Sequence, residues 1–250
     1  MKTYVLFIMF YLYLVHVASG KIINGYEKEI HTARTSLKNL TALTQNRNVK
    51  DRIECAKEFI LYYQLTERLL GQFRIIAPAL YNQIDTIKDH AGRLVDVYVK
   101  FVPKSEITMG TKATTNIDHF ANDKHAYYSN YGPHTVSVKI VIEKHSLLML
   151  AHEFGHVRYQ VPNLAAYVDF FSRHYRDHQM KADYLGHKPN DPSGQSAIVF
   201  EKLFEKENLK FIEAPNDRPQ NPILIRDQIA KTLELELTSM STTLLTSVSE

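Results

Sequence analysis

The pentapeptide His152-Glu153-Phe154-Gly155-His156 constrains this chain more than any other feature, because its chemistry calls for one backbone conformation. An α-helix repeats every 3.6 residues, so side chains four apart stack on one face and two imidazoles placed there can reach the same divalent ion. Glu153 is rotated about 100° from its neighbour, which sets its carboxylate beside such an ion, against a bound water. The flanks supply the helix. From His145 to Tyr159 there is no proline, Leu147, Leu148, Leu150 and Ala151 are good helix formers, and Pro162 closes the run. Gly155 is the exception, costing about 0.8 to 1 kcal/mol relative to alanine. Its place one turn after Ala151, between Glu153 and His156, predicts close approach by another segment. Just upstream, Thr135 to Ile142 alternates Val136, Val138 and Ile140 with Ser137 and Lys139, the pattern of a half-buried strand.

The N-terminus reads as a secretory signal. Lys2 gives the positive start, Tyr4 to Val17 is apolar, and Ala18-Ser19-Gly20 offers small residues for cleavage after Gly20. The apolar run is shorter than the roughly 20 residues a membrane span needs, and no other stretch approaches that length, so no stable span is expected after cleavage. The formal charge of +3 falls to +2 once Lys2 is removed and carries no long basic run. Nothing in it favours nucleic acid or lipid headgroups. Cys55 is the only cysteine, so an exported chain has no internal disulfide and must be held by its core, with or without help from a metal. Asn39-Leu40-Thr41 is a glycosylation sequon in a host that glycosylates.

Four regions are expected: a signal peptide over 1–20, an N-terminal helical region over 21–92, a metal-binding core over 93–213, and a linker, helix and frayed tail over 214–250. Residues 28 to 91 read as helical, broken near Asn46 to Lys50 and at Pro78, with Ile53, Ala56, Phe59, Ile60, Tyr63 and Leu70 at helical spacing. Leu94 to Val102 alternates as a strand, and residues 103 to 134 read as loops with short strands. Asn163 opens a helix running to about Met180. Asp191 and Pro192 mark the cap and first turn of another, to about Asn208. A last amphipathic helix spans Ile223 to Leu237, before a Ser/Thr-rich tail.

The strand and helix between Thr135 and Pro162 resemble the zincins, the HExxH zinc metallopeptidases. That resemblance implies a catalytic zinc, an edge strand lining the substrate, and hydrolysis of peptide bonds in a protein or peptide substrate. It excludes the metzincin branch, whose motif continues HExxHxxGxxH, since Tyr159 and Pro162 occupy the glycine and third-histidine positions. The fold implied is α+β and mainly helical, zincin-like, with a small mixed sheet packed on the motif helix.

Catalytic zinc takes three protein ligands and keeps one position for water. His152 and His156 are two. Glu201 is the first candidate for the third, bordering the apolar stripe of Ala197, Phe200, Leu203 and Phe204, an arrangement similar to gluzincins, which use a glutamate on a later helix. His174 and His178 on one helical face, His187 and Asp191 before the next helix, and Asp177 and Asp183 are the others. Glu153 is the expected general base toward a zinc-activated water. Two other readings stand beside this one: hydrolysis of a different amide such as a cell-wall cross-link, and a catalytically inactive zincin-shaped envelope or binding protein whose metal is structural or lost.

Overall fold

The structure, a computed structural model, describes residues 21–40, 47–107, 113–116, 128–129, 132–174, 187, 190–213 and 221–247. The expected signal peptide lies outside them. So do His178, Asp177 and Asp183. The described chain is α+β and mainly helical, with a small sheet. Its strands are β1 (Ile22–Asn24), β2 (Asp96–Val102), β3 (Ala113–Asn116), β4 (Tyr128–Ser129), β5 (Gly132–Pro133) and β6 (Thr135–Val141). Its helices are α1 (Glu27–Leu40), α2 (Arg47–Ile76), α3 (Pro78–Asp85), α4 (Ser146–Gln160), α5 (Leu164–His174), α6 (Pro192–Glu213) and α7 (Pro222–Ser247).

The main sheet has the order β1-β2-β6-β3. β1, β2 and β6 run parallel, with Val97 opposite both Ile22 and Val136, and β3 closes one edge antiparallel to β6, with Thr115 opposite Val138. Strand β6 is buried along nearly its whole length, as an inner strand covered on both faces must be. Val97, Val99, Phe101, Val136, Val138 and Ile140 are all fully buried. β1 is three residues long, too short to carry a period-2 signal. It adds the N-terminal region directly to the sheet.

Helix α2 carries Leu65, Leu69 and Phe73 four residues apart, all fully buried. Phe73 meets Phe154 of α4 edge-on at 5.3 Å and stacks on Phe204 of α6 at 4.5 Å. Aromatic pairs of this kind add about 0.5 to 1.5 kcal/mol beyond the area they bury. One hydrophobic cluster thus runs from Ile22 through α2, the sheet, α4 and α6 to Leu237 of α7.

α7 differs from expectation by continuing to Ser247, ten residues past Leu237. No proline or glycine interrupts Ile223 to Ser247, and Thr238 returns its hydroxyl to the Glu234 carbonyl at 2.9 Å, a bond that lets threonine sit within a helix. α6 likewise outruns the expected Asn208 and ends at Glu213.

Candidate metal centre

Helix α4 is buried almost all round. Leu147, Leu150, Ala151, Phe154 and Val157 face the core, while Glu153, His156 and Gln160 are buried polar residues on the remaining arc. Its start is fixed by Ser146, whose hydroxyl accepts from the Glu143 N–H at 2.7 Å and lies within bonding reach of the carbonyls of Val141, at the end of β6, and Glu143. The helix is thereby aimed by the strand before it.

Gly155 is explained by α6. A Cβ at this position would stand 2.4 Å from the Ala197 Cα and 2.7 Å from the Ser196 carbonyl oxygen, so only glycine lets the two backbones come this close. The Ser196 hydroxyl donates to the Gly155 carbonyl at 2.8 Å and locks the crossing. This contact sets the site, because it brings the first turns of α6 and the residues ahead of it over the motif histidines.

His152, His156 and His187 form the cluster that results. One nitrogen from each lies within 4.8 Å of the others. The Nε2 atoms of His152 and His187 are 3.0 Å apart, and the ring centroids are separated by 4.6 to 5.2 Å. Two imidazole nitrogens on one tetrahedral zinc, each at about 2.0 to 2.1 Å, stand roughly 3.3 Å from each other. The His152–His187 separation is close to that value, and the three donors together could hold a metal ion. Their opposite nitrogens have partners of their own: His152 Nδ1 meets Glu201 Oε2 at 2.9 Å, His156 Nδ1 meets Ser193 Oγ at 2.8 Å, and His187 Nδ1 lies 3.6 Å from Asp191 Oδ2. A carboxylate only accepts, so His152 carries its proton on Nδ1 and leaves Nε2 as the donor atom toward a metal.

Glu201, the first candidate for the third ligand, takes another place in the arrangement. The residue does turn inward, as its place on α6 predicted, but its carboxylate reaches the outer nitrogen of His152 and stands outside the three-donor cluster. Leu203, expected on the same apolar stripe, is exposed. Of the other candidates, His187 joins the cluster. Asp191 stands behind it, capping α6 by accepting the Ser193 N–H at 2.9 Å. His174 closes α5. Ser193 and Gln160, which the sequence reading missed, form one chain, with Gln160 Nε2 donating to Ser193 Oγ at 2.9 Å. The signal for them was weak: Gln160 sits one further turn along the face of His152 and His156.

Burial sets the charge states. Burial, with His187 and His152 adding to it, pushes His156 down to about 3, so its ring is neutral at pH 7 as a ligand requires. Burial pushes the Glu153 carboxyl up, opposed by the Thr115 hydroxyl bonded to it and by the nearby imidazoles of His152 and His187. The arrangement combines three convergent imidazole donors with a desolvated acid at their side, a set able to hold a metal ion. No protein-family model, curated protein or solved structure matches the chain.

Proposed function

We propose that this chain is an exported zinc-dependent metallopeptidase of the zincin type, with His152, His156 and His187 as ligands and Glu153 as general base. The observation that carries the reading is the convergence of three imidazole nitrogens beside a buried glutamate on one helix. The ligand set is three histidines, in place of the gluzincin-like pair of histidines with a glutamate that the resemblance implied. Three donors, the number found among the described residues, is the ligand number of a catalytic site, whereas structural zinc takes four. The mixed sheet supports the same reading. β3 is an antiparallel edge strand beside α4, and an extended peptide can add to such an edge through backbone hydrogen bonds.

Bound zinc would supply Lewis acidity, acidifying water and polarising a carbonyl. Glu153 accepts the proton of the attacking water at its carboxylate and returns it to the leaving amine nitrogen. Burial of Glu153 keeps bulk water from competing at that carboxylate. His152, His156 and His187 keep their rings aimed through Glu201, Ser193 and Asp191.

The test is zinc content joined to turnover. Purified protein is expected to hold one equivalent of zinc and to cleave casein, H187A to lose the metal, and E153Q to keep the metal while losing hydrolysis. A zinc-loaded E153Q that still cleaves casein, or a wild type that takes up no zinc, sinks the proposal. Turnover of purified peptidoglycan but not casein would move the substrate to a cell-wall amide.

A further inference from the structure

Glu153 does not stand alone in its pocket. The Thr115 hydroxyl, from β3, lies 2.5 Å from Glu153 Oε2 and 3.4 Å from the Glu153 backbone carbonyl. A hydroxyl has one proton to give, and the shorter contact to a carboxylate takes it. We propose that Thr115 is a positioning residue for the general base: by donating to Oε2 it fixes the plane of the carboxylate and leaves Oε1 for proton transfer. This rests on the metallopeptidase reading above.

The physical need is specific. The last torsion of a glutamate is broad and twofold, so packing around its methylenes holds the stem and leaves the carboxylate free to turn. One strong hydrogen bond at one oxygen removes that freedom. Thr115 is also well anchored to provide it, since its backbone sits in register opposite Val138 on the fully buried face of β6. Among the described residues the same strand is the edge of the sheet, where an extended peptide could add. A substrate laid along β3 and the base that serves it would thus be referenced to one backbone, which keeps their relative position constant.

The bland alternative is that a buried carboxylate needs a donor and Thr115 is merely the nearest one. The two differ in what is lost on removal. A satisfying partner affects stability alone. A positioning partner affects kcat, with zinc uptake and KM preserved.

The experiment compares full-length wild type, Thr115→Val, Thr115→Ala and Thr115→Ser, each loaded with Zn2+, on fluorescein-labelled casein and in crystals. T115V and T115A are expected to lose about 100-fold in kcat, the cost of a misplacement on the order of 1 Å, with zinc stoichiometry and KM unchanged. T115S restores kcat to within a few-fold. In the crystals the Glu153 carboxylate is expected to turn in T115V and T115A and to stay put in T115S. Unchanged kcat, or an unmoved carboxylate in either variant lacking the hydroxyl, overturns the inference. Wild type that takes no zinc or cleaves nothing overturns the peptidase reading instead, and the carboxylate orientation in those crystals still decides for or against Thr115. T115A serves should T115V fail to fold.

Discussion

A histidine ligand has two ring nitrogens, and the group that holds one decides which is offered to the metal. Glu201 is placed to do this for His152, its carboxylate 2.9 Å from Nδ1. Glu201→Ala is therefore expected to weaken zinc affinity by about 10- to 100-fold without removing a ligand, measured by competition with a chromophoric chelator. Affinity equal to wild type would show that His152 needs no such partner. His156 carries a second residue-scale consequence. Its folded value of about 3 lies well below the value near 6.5 it has when unfolded. Between those values the unfolded chain binds more protons, so stability of the zinc-free protein is full above about pH 6.5 and falls as the pH drops toward 3. The urea midpoint of zinc-free protein should decline across that window, and more shallowly in His156→Gln. Parallel curves for the two would place the acid sensitivity elsewhere.

At the scale of elements, the crossing of α4 and α6 is the joint on which the site depends. Gly155→Ala would gain about 0.8 to 1 kcal/mol of helix propensity. Against that, the new Cβ would meet the Ala197 Cα and Ser196 carbonyl oxygen, backbone atoms that cannot swing aside, and overpacking of a tight core costs about 1 to 3 kcal/mol or more. With helix propensity set against overpacking, a net loss of up to about 2 kcal/mol in denaturant unfolding is expected, with weaker zinc binding because His187, Asp191 and Ser193 all precede or open α6. A G155A protein as stable as wild type would mean the helices can part at no cost. The same joint explains what was legible in the sequence. The histidine pair and Glu153 stand within one helical turn or so, and a local period reports them. Gly155, as a costly residue in a good helix, announced that something would approach. What approaches depends on tertiary packing, and His187 sits in a connection with no period to mark it, 31 residues after His156. Its one local sign is a carboxylate four residues on, Asp191, at a helix start. Glu201 reaches His152, yet no sequence pattern distinguishes contact with one ring nitrogen of a histidine from contact with the other.

For the whole molecule, the question is how far the metal and the fold support each other. The core is continuous from β1 to α7, so the main body is held by apolar burial without a disulfide, Cys55 being the only cysteine. The proposed ligands are distributed otherwise. Two lie on α4 and one precedes α6, so a bound ion would tie that connection to the helix it covers, and binding would draw on native geometry that the unfolded chain lacks. Linkage then fixes the size of the effect: at free zinc one hundred times the dissociation constant, the folded state gains about 2.7 kcal/mol. For a domain of this size that corresponds to a Tm higher by about 5 to 10 °C. A zinc titration followed by calorimetry should show Tm rising with the logarithm of free zinc above that constant, with a chelator returning it to the zinc-free value. H187A should remove the zinc dependence while leaving the zinc-free Tm close to wild type, because the apolar cluster does not include His187. If chelation instead unfolds the protein outright, the ion is an organising part of the core and its role shifts from chemistry toward structure.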